Sequence, residues 1–217
     1  MTIRDDFLRP PRSGAEWIAD SLRVIGVIAV GVAAILLAPT DVGITALALP
    51  ALMLPRMLGL RAWFDLAACV LVLAAAWSNV FDLYRSIPGW DLLLHFACTG
   101  VLAVIAAVLL TRARIAPITR GHGVTARTPL VLLPVIALAL SAVWEMIEWL
   151  GLTYLSDEIF VTYQDTIGDM VFGGLGGLVA GIALVVAPVE RASSTGEHRA
   201  ESVGRSARTA TPGTSRE

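Results

Sequence analysis

Six long apolar runs limit what this chain can fold into. A helix needs about twenty mostly apolar residues to cross a hydrocarbon layer roughly 30 Å thick, and in lipid every backbone N–H and C=O must be satisfied within the protein. By that measure the sequence predicts helices over 22–38, 42–60, 62–83, 90–110, 129–149 and 165–187. Pro50, Pro55 and Arg56 interrupt the second run, so a helix there should end near Leu54 and turn through 55–61 into the third. The expected fold is all-α: a polytopic transmembrane helical bundle of about six spans, filling 21–188. Residues 1–20 should form a cytoplasmic N-terminal segment, and 189–217 a cytoplasmic tail of Ser, Thr, Gly, Arg and Glu with too few hydrophobes to order itself. The first apolar run follows an Arg-bearing start, as in a signal sequence. It lacks a small-residue cleavage site and further spans follow, so it reads as an uncleaved first helix.

Composition supports the bilayer as the solvent, since 56% of the 217 residues are hydrophobic and only 16% charged. The net charge of −2 hides a segregation: all sixteen basic residues are arginine, and nearly all lie between the apolar runs. This is no nucleic-acid footprint. Cys69 and Cys98 fall inside apolar runs and read as small buried hydrophobes, not as a disulfide framework.

Orientation follows from the arginines, because loops rich in Lys and Arg stay cytoplasmic. With both termini cytoplasmic, fifteen arginines lie inside and Arg85 alone lies outside. Asp41, Asp82, Asp157 and Glu158 then face outward. Trp77, Tyr84, Trp90, Trp149, Tyr154 and Tyr163 make an outer aromatic belt of the kind interfaces favour.

Ionisable residues inside the runs carry the chemistry. Asp91 and His95, in WDLLLHF (90–96), lie one turn apart on one face, a spacing suited to a metal or a proton relay and equally to a helix cap plus an interhelical hydrogen bond. Glu145 and Glu148, in WEMIEW (144–149), share a face. Glu148 can snorkel to headgroups, but Glu145 lies deeper, where an ionised acid costs up to roughly 2.5–3.5 kcal/mol and usually meets a partner or a watery cavity. Asp165 and Asp169, in QDTIGDMVFGGLGG (164–177), are again one turn apart. Asp165 suits a cap or first-turn acid, whereas Asp169 lies a turn inside the span, ahead of Gly173, Gly177 and Gly181, whose spacing invites close helix packing. With six crossings, His95, Glu145 and Asp169 share one depth near the outer surface. They are expected to form one polar pocket, with Asp91, Glu148, Asp165 and Gln164 around its rim and Asn79 and Asp82 as further contributors. Asp65, one turn beyond Arg61, reads as half of an intrahelical ion pair, and His122 and His198 have no ligand-spaced companions.

At these three motifs the sequence resembles the YjdF-type bacterial inner-membrane proteins, over most of the helical chain. It is more loosely similar to the VanZ-like membrane proteins, associated with glycopeptide resistance, which pair an Asp–His motif with a later Glu motif and an acidic start to a glycine-bearing last helix. Leu92 stands where that motif has Lys, Glu148 where it has Gln and Asp169 where it has Asn. The resemblance implies the bacterial plasma membrane and the functional set Asp91, His95, Glu145, Glu148, Asp165 and Asp169, but no reaction.

Three classes of function fit. As an enzyme, the protein would hold one divalent cation, Zn²⁺, Mn²⁺ or Mg²⁺, on Glu145, Asp165 and Asp169, with His95 as ligand or base, and act on a lipid headgroup or lipid-linked precursor. As a transporter, it would use the same groups as a proton or cation relay, although transporter sites usually lie near the midplane. As a binding or resistance-helper protein, it would use them to fasten helices together. Electrostatics adds one demand: carboxylates crowded away from water need a cation or shared protons to offset them.

Overall fold

The computed structural model describes residues 3–119, 124–157, 159 and 161–191. The expectations for Arg120, His122, Glu158, His198 and most of the tail lie outside these. All eight elements among the described residues are helices: α1 (Ile3–Leu8), α2 (Gly14–Leu36), α3 (Pro39–Met57), α4 (Ala62–Val80), α5 (Leu83–Ser86), α6 (Trp90–Arg112), α7 (Arg127–Tyr154) and α8 (Tyr163–Val186). Five of them, α2, α4, α6, α7 and α8, are long and apolar enough to cross a membrane. The sixth long helix, α3, has the length, but Asp41, Pro50, Pro55 and Arg56 dilute its hydropathy.

Local chemistry moves several expected boundaries. α2 begins at Gly14, so the expected limit at residue 21 falls inside it. Ser13 caps it by accepting from the Glu16 N–H at 3.3 Å, and the Ser-x-x-Glu spacing is that of a capping box. α3 does not stop at Leu54: it absorbs both prolines and ends at Met57. Leu60 N–H then donates to Pro55 O and Gly59 N–H to Arg56 O, each at 3.0 Å, with Gly59 at φ 52°. This Schellman closure needs a left-handed residue, and a Cβ on Gly59 would also lie 2.7 Å from Asp6 Oδ1.

The long helices form two sets of three. In the first, α2, α3 and α4 pack around Ala19, Leu52, Cys69, Val72 and Ala76. In the second, α8 lies between α6 and α7, and its glycines divide between two neighbours. Gly168 meets Leu92 and Gly176 meets Phe96 and Gly100, so α6 and α8 run parallel; Gly173 meets Ser141, Gly177 meets Ala137 and Gly181 meets Pro129, so α7 and α8 run antiparallel. The stripe at every fourth residue thus faces α7, while Gly176 lets the α6 and α8 backbones touch.

A buried charge network closes the arginine-rich end. Asp65 does not pair with Arg61: it accepts from Arg23 of α2, and Arg23 also binds Asp20 at 2.8 Å and the Leu52 carbonyl at 2.9 Å. Arg61 instead reaches the Glu190 carbonyl. Glu16 takes Arg9 at 2.9 Å and also pairs with Arg191. The first residues of the expected tail are therefore built into the fold. Val189 O accepts from Arg61 N–H at 2.8 Å, Leu60 and Glu190 form an isolated bridge, and Arg112 reaches Glu190 at 3.4 Å. This clasp ties the N-terminal segment and both helix sets together.

Candidate functional site

The other end of the C-terminal set holds the ionisable residues. The register that seats Gly173 on Ser141 brings Asp169 level with Glu145 one turn further on, and the parallel register of α6 and α8 brings His95 beside Asp169. His95 Nε2 lies 3.5 Å from Asp91 Oδ1 and 3.9 Å from Asp169 Oδ1. Among the described residues two groups of potential ligand atoms result, Asp91–His95–Asp169 and His95–Glu145–Glu148, with the atoms of each group within 4.8 Å of one another. His95 belongs to both and links the three helices.

Burial makes the arrangement demanding. His95 is 8% exposed, Glu145 5% and Asp169 1%. Both Glu145 carboxylate oxygens and Asp169 Oδ1 are buried without a hydrogen-bond partner. The Thr166 hydroxyl is near enough to Glu145 to interact with it, but not in hydrogen-bonding geometry. Buried polar atoms are rarely left in this state, because each forfeits about 1–3 kcal/mol, more if charged.

The remaining sequence-predicted residues divide. Asp91 is not the N-cap of α6, which is Gly89 at φ 75°, but a first-turn acid beside His95. Glu148, expected at the rim, stands within reach of His95. Asp165 belongs to neither ligand group: it sits in the first turn of α8, where its N–H donates to the Thr162 hydroxyl at 3.2 Å. Gln164 is exposed. Asn79 donates to Asp41 at 2.8 Å on the first helix set, and the Asp82 side chain is 68% exposed, so neither joins the cluster.

Three hydrogen bonds around this end of the bundle escaped the sequence reading. Ser141 donates to the Asp169 carbonyl at 3.3 Å, at a position that looked apolar by context. Trp90 donates to Ser78 at 2.8 Å and so ties the start of α6 to α4. Tyr84, which read only as part of the aromatic belt, donates to Ala75 O at 2.9 Å. Burial first, and then the carboxylates on the neighbouring helices, hold its phenol above the ordinary pKa.

A cavity of about 350 Å³ adjoins the cluster between α7 and α8. Ala142, Glu145, Met146 and Trp149 of α7 line it with Thr166 and Met170 of α8. Glu145 lies between the two: the residue lines the cavity wall, but both its carboxylate oxygens are buried, within 4.8 Å of a His95 nitrogen.

Residues 16–189, most of the chain, match a family model described as a predicted membrane protein, DUF2238. No curated protein and no solved structure matches.

Proposed function

This chain belongs to the DUF2238 family of predicted membrane proteins, and from that premise we propose that it is a YjdF-type protein of the bacterial plasma membrane which binds one divalent cation and acts on a lipid headgroup or lipid-linked substrate at its arginine-poor end. Asp91, His95 and Asp169 hold the cation in this reading, and Glu145 and Glu148 stand beside it. The observation that carries it is Asp169 Oδ1, buried beside the His95 imidazole without a hydrogen-bond partner, next to a Glu145 carboxylate in the same state. A cation would give Asp169 its partner and offset the charge of Glu145 beside it.

The spacing agrees. Ligands about 2.0–2.2 Å from a tetrahedral ion lie about 3.4 Å apart, and His95 Nε2 stands 3.5 and 3.9 Å from its two carboxylate neighbours. One imidazole with carboxylates suits Zn²⁺, Mn²⁺ or Mg²⁺. When bound, such an ion would polarise a phosphoryl or carbonyl oxygen of the substrate. Glu145, within 4.8 Å of a His95 nitrogen, is the base in this reading, accepting a proton from the attacking water or hydroxyl. Asp165 has no ligand role in this arrangement.

Metal analysis of protein purified in mild detergent tests the reading. Roughly one equivalent of divalent metal is expected in the unaltered protein, and little in Asp169→Ala or His95→Ala. Glu145→Ala should keep more metal than either. Protein with no bound divalent metal, whose stability is also indifferent to added Zn²⁺, Mn²⁺ and Mg²⁺, refutes the proposal.

A further inference from the structure

One cation does not balance the charges at this end of the bundle. Asp91, Glu145, Glu148 and Asp169 bring four carboxylates around the single imidazole of His95. When all are ionised, a divalent ion on Asp91 and Asp169 offsets only half of their charge. Arg85, the arginine at this end, is turned to Asp82 at 3.9 Å. The same ion gives Asp169 Oδ1 a partner but leaves both buried oxygens of Glu145, a residue 5% exposed, without one. A buried carboxylate in that state is costly. Glu148 stands one turn on along the same face of α7 and is only half-buried, and the two side chains each bring an oxygen within 4.8 Å of the other and of a His95 nitrogen.

We infer that Glu145 and Glu148 form a second divalent-cation site, weaker than the first and built from oxygen ligands. The division follows from His95. A neutral imidazole has one ring nitrogen free to accept, and an ion on Asp91, His95 and Asp169 uses it. The second ion then rests on two carboxylates and completes its shell with water, a set that suits Mn²⁺ or Mg²⁺ better than Zn²⁺. It has fewer protein ligands than the first ion, which also repels it. Glu148 offers the way in, because it reaches the surface and Glu145 does not. The site stands on its own residues, and only the effect of filling it rests on the proposed function: an ion there takes the carboxylate of the base, so a high cation concentration shuts the reaction off.

The test uses the full chain in an uncharged detergent, loaded with one equivalent of Zn²⁺ and then titrated with Mn²⁺, whose free ion is counted by electron paramagnetic resonance. About one further Mn²⁺ per chain should bind, at least tenfold more weakly than Zn²⁺. Glu148→Gln and Glu145→Gln should each weaken Mn²⁺ at least tenfold and keep Zn²⁺, whereas Asp169→Asn should lose Zn²⁺ and keep Mn²⁺. Position is read on the unaltered protein. With methyl-labelled methionine, bound Mn²⁺ should broaden the signals of Met146 and Met170, which line the cavity with Glu145, and spare Met57 at the arginine-rich end. No Mn²⁺ beyond the Zn²⁺ equivalent, Mn²⁺ held equally well by Glu148→Gln, or broadening as strong at Met57 as at Met146 overturns the inference. The first and last of these need no variant to fold. Mn²⁺ bound in a Glu148-dependent way by a protein that takes up no Zn²⁺ supports this site and removes the cation at Asp91, His95 and Asp169 alone.

Discussion

Replacing Gly176 by Ala should damage both the fold and the site, by an amount the α6–α8 crossing sets. A Cβ there would lie 1.9 Å from the Phe96 carbonyl oxygen and 2.8 Å from its carbon. An ordinary carbon–oxygen contact is about 3.3 Å, so the helices must part by about 1.4 Å at this point. No rotamer can relieve the clash, because the obstacle is main chain. Gly100 meets the same crossing from the other side, its Cβ position lying 2.8 Å from Gly176 O. Overpacking costs about 1–3 kcal/mol where side chains can adjust; with backbone against backbone we expect the upper figure, about 3 kcal/mol. The strain also reaches the cluster, since Asp169 lies two turns, about 10 Å, along the same helix. If α8 shifts as a rigid rod, the His95–Asp169 separation of 3.9 Å grows towards about 5 Å, too wide for two ligands of one small ion. Equilibrium unfolding in mixed detergent–SDS micelles reads the first effect and Zn²⁺ titration the second, with affinity expected to fall at least tenfold. Gly31→Ala is the control: nothing lies within 4 Å of its Cβ position, so the same substitution should be neutral or stabilise by up to about 1 kcal/mol. A Gly176→Ala protein that unfolds at the same SDS fraction as the unaltered chain refutes the crossing geometry.

Other expectations follow from the same structure. Asp65→Ala leaves the buried Arg23 guanidinium with only Asp20 and the Leu52 carbonyl and should destabilise by about 3 kcal/mol, the lower figure for a broken buried pair, whereas Arg23→Met combined with Asp65→Leu should recover most of that loss; equal stability of the single and double variants would contradict the pairing. Asp165→Ala, outside both ligand groups, should leave bound metal unchanged by elemental analysis, in contrast to Asp169→Ala. Reporter fusions at Ala116 and Asp157 should read opposite sides of the membrane, cytoplasmic and external; labelling of 111–128 from outside intact cells would reverse the arginine argument.

The helices were legible because lipid leaves the backbone little choice. An apolar run of membrane length becomes a helix, so α4, α6, α7 and α8 appear close to where hydropathy places them, while their ends move with cap chemistry, as Ser13 and Gly59 show. Level along the helices was legible too, because counting residues from a span's end puts His95, Glu145 and Asp169 at the same height, and the structure has them side by side. Neighbours were not. Asp65 has Arg61 one turn away in sequence and pairs with Arg23 of another helix instead, because Arg23 is buried and Arg61 is exposed. The glycine repeat announced close packing without saying against what, and Gly176, outside that repeat, makes the closest approach.

The sequence alone therefore determined the class of fold, the position of its long helices and how far along them the charged residues stand. These depend on properties local to each segment: apolar length, helical periodicity and caps. Only the tertiary structure decided that α6 and α8 run side by side in parallel, that His95 joins both carboxylate groups, that Asn79 and Asp82 stay outside them, and that residues 189–191 clip onto the α3–α4 turn. Which helix lies against which depends on the fit of side chains distant in sequence, and hydropathy carries no record of that fit.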